Sequence, residues 1–232
     1  MQVFKWLGED RMPCHGGSGQ WPEAGKWRSV YWRRNLEPCT VGLHLCRRQD
    51  LAGWIGARLW LAEYAGECIE ETDKIVVRKA RLIRELPWTN ETRVRFAIAC
   101  AERVLHLFEN EFPDNKAPRR ALEAVKTGIF GDDDISASAN AARMAAEIAG
   151  TKYAIDPING YIARIAHAAA LAAYAVNATV NTANIAYTTT SYAAATQTAQ
   201  NASFAMENAL GHAARLNETR VQSEILAEMM GV

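Results

Sequence analysis

The sequence predicts an α+β N-terminal domain followed by an all-α, Ala-rich helical bundle, predominantly helical overall. Three observations carry this. All seven tryptophans (Trp6, Trp21, Trp27, Trp32, Trp54, Trp60 and Trp88) and four of the five cysteines fall at or before residue 88. Beyond that point alanine dominates, supplying 28 of the 82 residues from Ile135 to Leu216. The apolar spacing also changes, from short runs with period-two alternation to longer stretches with helical period. Two regions that fill a core so differently are expected to be two domains, 1–88 and 89–232.

In the first domain, residues 1–7 read as a strand. Residues 13–25 hold Gly16, Gly17, Gly19, Pro22 and Gly25 and read as a loop. Leu43-His44-Leu45 is a short strand, followed by a helix over about residues 49–56. Residues 59–64 and 74–84 read as two further strands. The second sets Ile75, Val77, Lys79, Arg81 and Ile83 against Val76, Arg78, Ala80 and Leu82, with β-branched residues enriched.

The second domain reads as helices throughout. Asn90 is the expected N-cap, with Arg93 where a capping-box acid would stand. Val94, Ile98, Ala101, Leu105 and Phe108 form one apolar stripe, on a helix that should end near Pro113. Pro118 suits the first position of a second helix that stops by Gly128. Further helices are expected over 136–150 and from Asp156–Pro157 to about His212, with Thr188-Thr189-Thr190 as the likeliest break. A last helix is expected over 218–230.

Composition narrows function by exclusion. The chain has 26 basic and 26 acidic residues and no formal net charge. Nucleic-acid binders show a basic excess or a dense basic stripe, so none is expected as a partner. Gly8-Glu9-Asp10-Arg11 interrupts any apolar run after Lys5, so no export signal is expected. No segment is apolar enough for a membrane span. With an odd cysteine count, this points to the cytoplasm and reduced thiols.

Several constellations of side chains are candidates for chemistry. Cys39, His44 and Cys46, with Cys14 or His15, offer soft ligands for a structural zinc, although no CxxC pair is present. Gly16-Gly17-Ser18-Gly19 is Gly-rich, yet no lysine follows in the phosphate-loop position, so a plain loop is the better reading. His44, Tyr64 and Glu67 make a His/Tyr/Glu set of the kind that handles NAD or another nucleotide. Cys100 and His106 stand six residues apart on one helix and face different ways. No catalytic set is assigned, and no cofactor is expected. In the bundle, Tyr161, Tyr174 and Tyr187 recur every 13 residues, and Asn177, Asn181 and Asn184 share a face. Tyr174, Asn177 and Asn181 are therefore candidates for a partner-binding groove.

Residues from Cys100-Ala101-Glu102-Arg103-Val104-Leu105 through Phe108-Glu109, Pro113-Asp114 and Pro118-Arg119-Arg120-Ala121-Leu122-Glu123-Ala124 resemble a bacterial family of immunity proteins from polymorphic toxin systems. The resemblance spans about residues 91–230. Lys126-Thr127-Gly128 stands where that family usually has a tryptophan. The resemblance implies a helical fold and a non-enzymatic protein that binds a toxin, a defence component or a small effector. It marks Glu102, Arg103, Asp114, Arg119 and Glu123 as candidate binding positions, although Arg119 and Glu123 also make an ordinary i, i+4 pair. The N-terminal part looks similar to small domains of bacterial and phage proteins that supply no activity to carry over. Two other readings stand beside this one: a nucleotide- or NAD-handling enzyme with its site at His44, Tyr64 and Glu67, and an assembly component whose small-residue helices form a homo-oligomer interface.

Overall fold

The computed structural model describes residues 2–31, 33–127 and 188–232, with residues 141, 144, 145, 147, 148 and 151 between them. The chain divides into two compact units. One holds Met1–Trp88 and Leu226–Val232, and the other holds Thr89–Ile225.

The N-terminal unit is a five-stranded antiparallel sheet: β1 (Val3–Leu7), β2 (Arg28–Ser29), β3 (Leu43–Leu45), β4 (Arg58–Glu70) and β5 (Ile75–Leu86). β4 and β5 form a long hairpin, β1 adds to β4, and β2 and β3 share the outer edge of β5. Just past β3, Cys46 exchanges two backbone hydrogen bonds of 2.8 Å with Phe4 of β1. The pairings β1–β4–β5–β3–β1 therefore run in a closed circuit, which removes an open edge.

Inside lie Val3, Leu7, Trp21, Leu43, Leu45, Ala62, Ile75, Val77, Ala80 and Leu82. The core set on β5 passes from odd to even residues across Arg78 and Lys79. The simple alternation expected over 74–84 therefore does not hold. On the facing strand, a register shift between Ala65 and Cys68 marks the same stretch.

Two fold expectations are corrected here. The expected helix near 49–56 is a 3-10 segment, Arg48–Trp54, held at its start by the Arg47–Asp50 ion pair. Among the described residues 1–88 there is no α-helix. The described residues are also not predominantly helical: helix takes up 46% of them and the sheet dominates the N-terminal unit.

In the second unit, α1 (Asn90–Glu111) is capped by Thr89, whose hydroxyl accepts the Thr92 N–H at 3.2 Å. Asn90, the expected cap, is the first helical residue, and its side chain accepts instead from Arg93. The buried face of α1 is broader than the expected stripe, adding Phe96, Ala97, Cys100 and Val104, while Ile98 is only half-buried. α2 (Ala117–Thr127) begins one residue before Pro118, and Asn115 Oδ1 accepts the Ala117 N–H. α3 (Thr188–Leu210) includes the threonine triplet expected to break a helix. Its buried alanines are Ala195, Ala199, Ala202 and Ala205, at helical spacing. Gly211, in the left-handed region at φ 90°, ends it by donating to Glu207 O at 2.7 Å. α4 (His212–Met229) follows, six residues earlier than expected. The expected helix over 136–150 lies mostly outside the described residues, and the one opening at Asp156–Pro157 lies outside them up to Thr188. Among the described residues, no helix is long and apolar enough to cross a membrane.

Candidate functional site

In the helical unit, most motif side chains are engaged with neighbouring helices. Arg103 on α1 grips Glu218 on α4 through two hydrogen bonds, Nε to Oε1 at 2.8 Å and Nη2 to Oε2 at 2.9 Å. Glu218 is 1% exposed. Its Oε1 also accepts from Gln222 Nε2, which reaches Ala199 O on α3 at 3.1 Å. Ser203 on α3 donates to Gln222 Oε1 at 3.3 Å. This buried polar chain ties α1, α3 and α4 together. The small side chains of α3 permit it, because they let backbone and amide approach. Cys100 lies beside it, its thiol pushed well up by burial and then by the Glu218 charge.

A second group links α1 to α2. Arg119 forms a two-pronged pair with Glu109 at 2.5 Å, which holds the Glu109 carboxyl below its ordinary range. Lys126 pairs with Glu102 and sits 3.6 Å from Glu123. Arg119 thus takes its bidentate partner from α1 rather than from Glu123 on its own helix. Asp114 lies exposed in the turn between α1 and α2. Glu102, Arg103, Arg119 and Glu123 are accordingly found in pairs within the unit. Tyr174, Asn177 and Asn181, like Tyr161, Tyr187 and Asn184, lie outside the described residues.

In the N-terminal unit, His44, Tyr64 and Glu67 do not converge. His44 sits on β3 opposite Val76, whereas Tyr64 sits on β4 opposite Ala80. Glu67 is bound by Arg78, with Nε to Oε2 at 3.0 Å. The zinc candidates do not close a site either. The exposed Cys39 donates its backbone N–H to His44 Nε2 at 3.2 Å, occupying that ring nitrogen. Among the described residues, no three His, Cys, Asp or Glu side chains group as metal ligands.

What the N-terminal unit does contain is a cavity of about 680 Å³. It is bordered by Lys5 of β1, the loop Gly16-Gly17-Ser18, Trp21, Arg28, Arg34 and His44, among others. Lys5 occupies the inward position between Val3 and Leu7, where strand alternation calls for an apolar residue. Its ammonium donates to His44 O at 2.9 Å and lies 5.5 Å from the Trp21 ring centroid. Burial lowers its pKa, offset in part by the thiols of Cys46 and Cys14. Arg28 lies over the same ring at 5.4 Å and donates to Gly19 O and Ser18 O. The sequence signals for this cavity are Lys5, which interrupts the apolar run of Val3, Phe4, Trp6 and Leu7, and the Gly-rich loop at 16–19.

Comparison with known proteins bears on the helical unit. No curated protein and no solved structure matches the chain. The model of one family, described as "Imm-5 like putative immunity protein", matches residues 88–209, more than half of the chain. The chain belongs to this Imm-5 like family of immunity proteins.

Proposed function

We propose that this chain is an immunity protein that neutralises a protein toxin or defence component by binding it through the helical unit. The observation carrying this reading is the family match over residues 88–209, nearly all of which falls within the Thr89–Ile225 unit. Internal pairing of the motif side chains bears on where binding occurs. Arg103, Arg119 and Glu102 hold helices together, so the contact is made by side chains that the helices present outward. Leu210 is 71% exposed and Leu216 is 51% exposed, and Phe204 stands out from α3 beneath Arg215. Large apolar side chains left in water within a polar surround suit the centre of a protein interface.

The test has two stages. The tagged chain is recovered from its native host, and any stoichiometric partner is identified by mass spectrometry. That partner is then expressed alone and together with the chain. Growth arrest by the partner, relieved by the chain and restored by Leu210→Asp with Leu216→Asp, is the expected result. A chain that recovers no partner, or a partner that is harmless alone, defeats the reading.

A further inference from the structure

Among the described residues, the charge around the N-terminal cavity is one-sided: Lys5, Arg28, Arg34 and Lys74 border it, and no described Asp or Glu does. Lys74 has its own counterion in Asp73 at 3.0 Å. The hydrogen bonds of Lys5 and Arg28 go to backbone carbonyls, which satisfy donors without neutralising charge. Placing an ammonium on the inward face of a strand opposes folding unless something compensates it. A bound anion does that, and two guanidinium groups and an ammonium on the border of one cavity suit the several oxygens of a phosphate ester.

Size and wall chemistry restrict the anion further. A volume of about 680 Å³ far exceeds a lone inorganic ion and lies within the range of small-molecule sites. Val30, Val41 and Tyr31 supply apolar and aromatic wall. The glycine loop forms part of the border, with Gly16 and Gly17 both at positive φ, so its backbone lies open to a ligand with no side chain in the way.

We propose that this cavity is a binding site for a nucleotide-sized organic phosphate, held by Lys5, Arg28 and Arg34. The site is separate from the residues matched to the immunity family and does not depend on the reading given for them.

Isothermal titration of the full chain with ADP, inorganic pyrophosphate and citrate tests this. ADP is expected to bind one-to-one, to weaken as salt rises, and to bind at least about tenfold more tightly than pyrophosphate or citrate, because the apolar wall is then used. Arg34→Ser and Lys5→Met should each weaken ADP binding about tenfold or more, while Arg95→Ser on α1 leaves it unchanged. Arg34 is exposed, so its replacement keeps the test valid even if Lys5→Met fails to fold. Absence of ADP binding at millimolar concentration, equal binding by pyrophosphate, or full binding by Arg34→Ser would each overturn the proposal.

Discussion

Arg103 and Glu218, 115 residues apart in sequence, meet in a bidentate ion pair whose carboxylate is almost wholly buried. The Cys-Ala-Glu-Arg motif is thereby explained as architecture: Cys100 and Ala101 pack at zero exposure, and Arg103 closes onto a distant helix. Removing one member of such a pair strands the other. Arg103→Met should therefore destabilise the helical unit by about 3 kcal/mol. Glu218→Gln, whose amide still accepts from Arg103, should cost about 1–2 kcal/mol. Far-UV circular dichroism through a urea titration reads both. An Arg103→Met variant as stable as the parent would remove the pair from any structural role.

Gly42 precedes β3 at φ +152°, and a Cβ there would lie 2.2 Å from Val76 Cγ1 on β5. The neighbour is a short, buried, branched side chain that cannot swing away. Gly42→Ala should destabilise the N-terminal unit by about 2–4 kcal/mol, from overpacking together with backbone strain. Pairing it with Val76→Ala should cost less than the sum of the two single changes, because the clash is then gone. Strict additivity would place the damage somewhere other than this contact.

Thiol reactivity should separate the five cysteines by burial. Burial pushes the Cys46 thiol up to about 12 and Cys100 well above its ordinary value. Since the thiolate is the nucleophile, neither should react with iodoacetamide at pH 8 in the folded chain. Cys39 is exposed and should be modified first. Peptide mapping after brief labelling, with and without denaturant, gives the order. Native modification of Cys46 as fast as Cys39 would contradict the packing described.

β5 was legible from its β-branched start, Ile75, Val76 and Val77, whereas β4, expected over 59–64, runs on through Gly66 and Glu67 to Glu70. α1 was legible from Val94, Ala101, Leu105 and Phe108 at helical spacing. What stayed hidden depended on tertiary contact. Nothing local distinguishes Thr89 from Asn90 as the cap, since both side chains can accept the first N–H bonds. The threonines at 188–190 are poor helix formers, yet they are helical within α3. Arg119 has an acid four residues on, but it takes Glu109 from the neighbouring helix. Arg103 likewise had no local sign of Glu218. Lys5 was visible in sequence, but its meaning required knowing that β1 turns that position inward.

His44 connects protonation to the stability of the N-terminal unit. Its Nε2 accepts the Cys39 N–H, a role open only to the neutral ring. Burial lowers its pKa, and the charges of Lys5 and Lys74 lower it further, against a smaller opposing effect from Asp73. The unfolded chain then takes up a proton at about pH 6.5 while the folded chain resists. The contribution of His44 is thus fully present above about pH 6.5 and is lost as pH falls through the lowered folded value. All seven tryptophans lie within residues 1–88, so their fluorescence reports on this unit. Urea midpoints followed by that signal should decline from pH 7 to pH 5. The decline should be shallower in His44→Asn, whose side chain does not titrate. An identical pH profile in the variant would show that some other group governs the acid side.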